Sequence, residues 1–221
     1  MTDAALLVFA KVPEPGQVKT RLTTAYSPAY AAELYEAFLL DALDQYDCLG
    51  VDVRLHFPQS SATVPAIYQT ERWSVHQQRG NGLGERMLNA VLDAFGAGYR
   101  QVVLIGTDHP TLPLPFLEQA IITLQQPKQM VIGPSDDGGY YALGMNEAYP
   151  QLFIGLTYSH AQVFEQAMER AMQTAAAVTV LPPWYDVDTP ADVERLKAEL
   201  RALPDGQLPR TRTVLSQLDT A

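Results

Sequence analysis

The sequence predicts an α/β protein in which a mostly parallel sheet is covered by helices on both faces. Short apolar runs typical of buried strands recur along the chain, and most are separated by segments with helical spacing of apolar residues. Such alternation favours parallel pairing, because each helix returns the chain to the starting edge of the sheet. The runs are residues 4–9, 51–57, 101–106, 129–133, 140–145 and 177–181, and we expect about seven strands.

Helical spacing is clearest in three segments, residues 31–42, 82–96 and 163–175. The first follows Ser27-Pro28, in which serine suits the cap and proline the first helical position. Thr189-Pro190 predicts a fourth helix in the same way. From Pro204 onward the chain is polar and weakly patterned. We therefore expect one domain over residues 1–203 and a C-terminal tail, 204–221, that either packs over the domain or frays.

Composition argues against several kinds of partner. The 221 residues include 15 Lys plus Arg and 25 Asp plus Glu, a formal net charge of −10, which would repel nucleic acid and anionic membranes. No apolar run approaches the ~20 residues of a membrane span, and the first residues do not resemble a secretory signal. Cys48 is the only cysteine, so an internal disulfide is excluded. We expect a cytoplasmic protein.

The loop after the first strand is locally basic although the chain is acidic. Lys11, Lys19 and Arg21 lie within eleven residues, opposed only by Glu14. A phosphate-bearing ligand would account for this cluster, and a solvated basic loop is the alternative. The loop is not a Walker A motif, because Val18 stands where that motif requires a glycine before the lysine.

Acidic residues follow two other strands. Asp108 follows the run at 101–106. A carboxylate at the end of a buried strand needs water, a donor or a cation, so we expect Asp108 to bind a divalent metal. The alternative is that it caps the next helix or closes a turn with Pro110 and Pro113. Its neighbour His109 lacks a second histidine at zinc-ligand spacing. Asp186 and Asp188 alternate after the last run, so an extended chain would point both the same way; the alternative for at least one of them is a helix cap.

Two glycine-rich turns complete the candidate site. The loop at 80–87 includes Gly82 and Glu85 before a helix and could bring backbone N–H groups close to a base, sugar or phosphate. Asp136, Asp137, Gly138 and Gly139 separate the runs at 129–133 and 140–145, where a plain hairpin needs only one Asp-Gly pair. The second acid and second glycine suggest a wall that reaches a sugar or acceptor hydroxyl.

Taken together, these motifs resemble a glycosyltransferase-like branch of the GT-A nucleotide-diphospho-sugar transferase superfamily, a branch similar to phospholactate and molybdenum-cofactor guanylyltransferases. The resemblance covers residues 5–200 and is carried by AKVPEPGQVKTRL, GLGERM, IGTDHPTL, GPSDDGGYYALG and LPPWYDVDTPADVERL, in that order. It implies a Rossmann-like GT-A fold whose first loop binds the nucleotide and whose central strand ends in an acid that holds Mg2+ or Mn2+.

The resemblance also implies roles for individual residues. Lys19 and Arg21, with Lys11, Gly82 and Glu85, match the nucleotide and phosphate side. Asp108 and Asp188 match metal-binding acids. Asp136, Asp137, Gly138 and Gly139 match the acceptor or sugar loop, and Asp137 or Asp186 would act as the base.

This chain departs from the branch pattern at three places. Thr111 replaces a further acid, which leaves one fewer candidate ligand. Thr157-Tyr158-Ser159 replaces a Trp-Ser or Trp-Thr pair, which puts the acceptor contact in doubt. The loop at 11–16 lacks the glycines with which sugar nucleotidyltransferases bind a triphosphate.

Three functions are compatible with this pattern. The first is metal-dependent glycosyl transfer from a nucleotide-diphosphate sugar to a small acceptor. The second is guanylyltransferase-like nucleotidyl transfer, which joins a nucleoside triphosphate to a phosphorylated small molecule. The third is a nucleotide-binding protein without catalysis. Five polar motifs at strand ends favour an enzyme, specifically a transferase.

Overall fold

The computed structural model describes residues 2–59, 64–158 and 160–218, and within them seven strands form one sheet in the order β3-β2-β1-β4-β6-β5-β7. The strands are β1 (Ala4–Phe9), β2 (Asp52–Pro58), β3 (Ser74–Gln78), β4 (Gln101–Ile105), β5 (Gln129–Pro134), β6 (Tyr140–Met145) and β7 (Ala177–Val180). Neighbours pair in parallel except at β6, which is antiparallel to both β4 and β5. The predicted mostly parallel sheet is confirmed.

Strand β3 is the one strand that the apolar pattern did not indicate. Its sequence, SVHQQ, is largely polar, and most of it is exposed. It lies at the edge of the sheet and pairs only with β2. An edge strand buries little side-chain surface, so its hydrogen bonds to β2 define it without the hydrophobic run that marks an inner strand.

Six helices in the described part of the chain cover the sheet: α1 (Pro28–Tyr46), α2 (Leu83–Gly96), α3 (Leu114–Thr123), α4 (Val163–Met172), α5 (Pro190–Leu200) and α6 (Pro209–Leu218). Apolar side chains of α1 and α3 pack on one face of the sheet, and those of α2 and α4 pack on the other. The predicted caps are present, because Ser27 accepts the Tyr30 N–H and Thr189 forms a capping box with Asp192.

Helices α5 and α6 form an outer layer against α1. The carboxylate of Asp41, which is 2% exposed, accepts the backbone N–H groups of Arg210 and Thr211 and so holds the start of α6. A charge-assisted bond to a helix N-terminus suits a buried carboxylate. Much of the segment from 204 is thus a docked helix, while the boundary at 203 stays a prediction. The helices of the described segments lack the length and apolar character needed to cross a bilayer.

The topology brings the polar strand ends to one edge. Every strand except β6 points toward that edge, and β6 begins there. Strand β1 lies between β2 and β4. The connection from β1 to β2 covers one face of the sheet with α1, and the connection from β3 to β4 covers the other face with α2. In open α/β sheets a crevice forms outside the carboxyl ends at such a switch point, and ligands bind there.

Candidate active site

A cavity of about 570 Å3 opens at the carboxyl edge of the sheet, next to the β1–β4 switch point. Its walls come from the segments that follow β1, β4, β5 and β7 and from the start of α2. Eight of the predicted site residues line it: Lys11, Lys19, Arg21, Asp108, Asp137, Gly139, Asp186 and Asp188. The volume is that of a typical small-molecule site.

Lys19 joins two of these strand ends. Its Nζ donates to a carboxylate oxygen of Asp108, after β4, and to Oδ1 of Asp188, after β7, at 3.0 Å. The side chain of Lys19 is only 3% exposed, whereas those of Asp108 and Asp188 are 47% and 35% exposed. Arg21, which is largely exposed, lies 3.6 Å from the second oxygen of Asp188. One buried ammonium therefore holds two acids that open toward the cavity.

Lys19 and Asp108 keep each other charged. Burial by itself lowers the pKa of Lys19, but the carboxylates of Asp108 and Asp188 outweigh it and raise that pKa above its usual value. Burial raises the pKa of Asp108, and the ammonium of Lys19 reverses this, so the net shift is downward. Opposite charges at contact favour the ionised forms of both Lys19 and Asp108.

Tyr35, on α1, connects the loops after β1 and β4. Its hydroxyl accepts the backbone N–H of Lys11 at 3.0 Å and lies 2.8 Å from Oγ1 of Thr107. The ring centroid is 5.9 Å from Nζ of Lys19. Burial raises the pKa of Tyr35 to about 12, so the phenol stays neutral. Sequence reasoning did not identify Tyr35, because it reads as one more apolar position of α1.

Asp108 and Asp188 suit a hard divalent cation. Their carboxylates converge on one cationic atom, which shows that both reach a common point, and both are partly open to the cavity. Mg2+ is commonly held by one or two carboxylates, with water and phosphate oxygens completing its octahedron. The described residues contain no group of three or more His, Cys, Asp or Glu side chains that could enclose a metal alone. Two carboxylates therefore fit a cation whose remaining ligands would come from a bound phosphate and from water.

Asp186 meets a buried histidine. Nδ1 of His109 lies 3.4 Å from Oδ1 of Asp186, and the His109 side chain is nearly inaccessible. Neither Nε2 of His109 nor Oδ2 of Asp186 has a hydrogen-bond partner among the described residues. Buried polar atoms without a protein partner are uncommon, and a catalytic role or a contact with water or an ion can account for them. His109, whose role the sequence left open, thus contacts Asp186, which lines the cavity.

In the turn Asp136-Asp137-Gly138-Gly139, called the double Asp-Gly turn, the residues make different contacts. Oδ1 of Asp137 accepts the hydroxyl of Ser135 and, at 2.8 Å, the N–H of Gly139, and Asp137 lines the cavity. Asp136 points away and pairs with Arg195 at 2.9 Å, and neither it nor Gly138 lines the cavity. Only part of the turn therefore faces a ligand.

The loop before α2 and the first turn of that helix contribute different residues to the cavity from those predicted. Gly82 is the N-cap residue of α2, and Oε2 of Glu85 accepts the N–H of Asn81 at 2.9 Å; neither residue lines the cavity. Leu83, the first residue of α2, and Arg86, in the first turn, do line it. Arg86 gave no separate signal in the sequence, although it follows a glycine loop at a helix N-terminus, where anions commonly bind.

The side of the cavity nearest α4 is aromatic. Tyr140, Tyr158, Met87 and Val163 line it, and burial raises the pKa of Tyr140 well above its usual value. The hydroxyl of Tyr158 is also buried, and its interaction with Tyr140 adds to the rise in the pKa of Tyr140. Ser159, part of the departure noted in the sequence, lies outside the described residues. The cavity thus has a charged end and an aromatic end.

Comparison with known proteins places the chain in a family. Residues 39–160, more than half of the chain, match the DUF2064 family, described as uncharacterized proteins conserved in bacteria. A crystal structure from Desulfovibrio desulfuricans G20, provisionally named a nucleotide-diphospho-sugar transferase, is 33% identical, with a TM-score of 0.89 over 100% of this chain and 96% of that one. The chain belongs to the DUF2064 family, and the resemblance to nucleotide-diphospho-sugar transferases is confirmed, as is the expected transferase class.

More distant structures share the fold. A nucleotidyl transferase from Methanothermobacter thermautotrophicus is 13% identical, with a TM-score of 0.56 over 90% of this chain and 99% of that one. A CMP:2-keto-3-deoxy-manno-octonic acid synthetase in complex with CTP is 13% identical, with a TM-score of 0.51 over 91% and 99%. None of the curated proteins matches the sequence. The Rossmann-like GT-A architecture is thereby confirmed, and specificity has to be argued from the site.

Proposed function

We propose that the protein is a metal-dependent glycosyltransferase, which moves a sugar from a nucleotide-diphosphate donor to a small acceptor. The observation that carries this proposal is the pair Asp108 and Asp188, held together by Lys19 at the mouth of the cavity. Two carboxylates with cations beside them, at a sheet switch point, suit a diphosphate bound with a divalent ion. The family relative named as a nucleotide-diphospho-sugar transferase supports the same class of donor.

The charged end would bind the donor diphosphate. Lys11, Lys19 and Arg21 supply three positive charges from one loop, and Arg21 is exposed enough to move toward a ligand. Asp108 and Asp188 would hold Mg2+ or Mn2+, which when bound would neutralise the diphosphate as a leaving group. These cations would stabilise charge that builds up on the diphosphate oxygen as the glycosidic bond breaks.

The acceptor would enter beside the acids at 137 and 186. Its hydroxyl would give a proton to one of these carboxylates and attack the anomeric carbon, while the bond from that carbon to the diphosphate breaks and nucleoside diphosphate leaves. Asp186 has a buried histidine beside it, because Nδ1 of His109 lies 3.4 Å from its Oδ1, whereas Oδ1 of Asp137 already holds its own turn. Tyr140 and Tyr158 would offer aromatic surface to a sugar or acceptor ring.

Nucleotidyl transfer is the second candidate. It is favoured by the number of cations around the charged end, since Arg86 joins the three from the β1 loop, and a triphosphate would use more of them than a diphosphate. The β1 loop argues the other way, because its single glycine, Gly16, does not line the cavity. The cytoplasmic location and the absence of nucleic-acid partners stay predictions from composition.

The released product separates these candidates. The purified protein is incubated with Mn2+ and individual nucleotide sugars, and separately with nucleoside triphosphates and sugar phosphates. Glycosyl transfer predicts nucleoside diphosphate release without pyrophosphate. Pyrophosphate from a triphosphate would establish nucleotidyl transfer instead. Thermal stabilisation by nucleotides that neither Mg2+ nor Mn2+ alters, with no product from any donor, would support the non-catalytic alternative.

A further inference from the structure

Lys19 lies where a divalent cation would have to bind. Its ammonium occupies the point on which Asp108 and Asp188 converge, and it uses one oxygen of each. A divalent ion shared by the two carboxylates needs lone pairs on the same two groups, at about 2.0–2.1 Å for Mg2+. The lysine and the metal therefore compete for one position.

The backbone conformation and the burial of Lys19 hold its ammonium at this position. Lys19 has φ 46° and ψ 41°, the left-handed conformation that a residue with a Cβ seldom adopts. Residues in such conformations persist where the surrounding structure enforces them, and they cluster at ligand sites. The side chain is 3% exposed, yet it lines the cavity together with both acids. The ammonium is thus buried but borders the space that a ligand would fill.

We propose that Lys19 is a tethered counter-ion, which occupies the metal position in the ligand-free protein and transfers to the donor diphosphate when donor and metal bind together. The inference rests on the proposed function and adds a coupling between its two ligands. The metal alone binds weakly, and nucleotide and metal each strengthen the binding of the other. Such coupling is reciprocal, since each ligand removes the same obstacle to the other.

The net charge of the Lys19, Asp108 and Asp188 cluster supports this coupling. Two carboxylates and one ammonium leave one negative charge, whereas a divalent ion added beside the lysine would leave a net positive charge at close range. Desolvated like charges at contact repel strongly. A diphosphate supplies the negative charge that lets Lys19, Arg21 and the metal remain in one site. The donor is therefore needed for tight metal binding.

The experiment measures Mn2+ binding directly, by the electron paramagnetic resonance signal of free Mn2+. Wild type and Lys19→Met are titrated with Mn2+ alone, and then with UDP, GDP, CDP or ADP present, one at a time. In wild type we expect at least about tenfold tighter Mn2+ binding with a suitable diphosphate. Lys19→Met should bind Mn2+ without nucleotide at least about tenfold more tightly than wild type, because the competing charge is gone.

Two further variants make the result specific. Lys128→Met removes an exposed lysine outside the cavity; Mn2+ affinity should change about twofold or less, because an exposed and distant charge is screened. Lys19→Met/Asp108→Asn should lose the gained affinity. A gain of equal size in Lys128→Met, or one that survives in the double variant, would overturn the assignment of the competition to Lys19.

The titration of wild type tests the inference without any substitution. Tight Mn2+ binding to nucleotide-free wild type, equal to that with nucleotide, would overturn the tethered counter-ion and leave the proposed function intact. Failure of the proposed function looks different: neither protein would bind Mn2+ with any of the four nucleotides. Thermal melting with and without Mn2+ checks that Lys19→Met is folded, and a rise in its melting temperature on adding Mn2+ is the expected result.

Discussion

Gly138 lies directly against Ala161, so closely that a Cβ on residue 138 would stand 2.1 Å from the carbonyl oxygen of Ala161. Gly138 also has φ 86°, a conformation that glycine adopts without strain. Its own carbonyl oxygen accepts the N–H of Phe164 at 2.9 Å. The first glycine of the double Asp-Gly turn therefore docks the turn on the start of α4 and so fixes one wall of the cavity.

Replacing Gly138 by alanine should destabilise the protein by about 2–4 kcal/mol, because overpacking adds to backbone strain. Urea unfolding followed by circular dichroism measures the loss. Gly50→Ala is the matched control, since Gly50 has φ 64° but nothing within 4 Å of the added methyl group. The control should lose about 1–2 kcal/mol from the left-handed backbone alone. Equal losses in the two variants would show that the contact with Ala161 is unimportant.

His56 makes stability depend on pH. It is 2% exposed, its ring stacks between Phe9 and His76, and neither ring nitrogen has a hydrogen-bond partner among the described residues. Burial, with smaller contributions from His76 and Arg54, lowers the pKa of His56 to about 3. The unfolded chain, with an ordinary histidine pKa near 6.5, binds a proton that the folded protein does not accept.

Stability should therefore fall as the pH drops below about 6.5, because protons favour the unfolded state over that range. Between pH 7 and pH 5 the contribution of His56 is a loss of about 2 kcal/mol. Urea unfolding at both pH values should show this loss in wild type and a loss about 2 kcal/mol smaller in His56→Phe. His160→Gln serves as the control and should keep the wild-type dependence. An unchanged dependence in His56→Phe would contradict the role assigned to His56.

Inner strands and amphipathic helices could be predicted from the sequence because burial imposes a spacing on apolar residues. Strand β3 could not, because an edge strand with the sequence SVHQQ buries little. Helix α6 has a polar sequence, and the apolar contacts that dock it involve only a few residues, Leu208, Val214 and Leu215. Its anchor is the carboxylate of Asp41, some 170 residues earlier, which no local pattern reveals.

Site residues could be proposed from strand-end motifs, but their partners could not. Lys19 and Asp108, separated by 89 residues, were assigned to phosphate and metal separately, and only the fold brings them into contact. Glu85 shares the promising glycine loop yet turns back to Asn81. Tyr35 looks like an ordinary apolar position of α1, because a sequence does not show whether an aromatic side chain faces the core or a cavity.

The central claim is that Asp108 and Asp188 form the metal and donor site. Its most direct test is nucleoside diphosphate release from the nucleotide sugar that wild type turns over, at saturating Mn2+, in Asp108→Asn. Asp93→Asn is the control, since Asp93 makes an exposed pair with Arg79 outside the cavity. We expect the rate of nucleoside diphosphate release to fall at least about 100-fold in Asp108→Asn and to stay at the wild-type value in Asp93→Asn. Metal-dependent release at the wild-type rate in Asp108→Asn would contradict it.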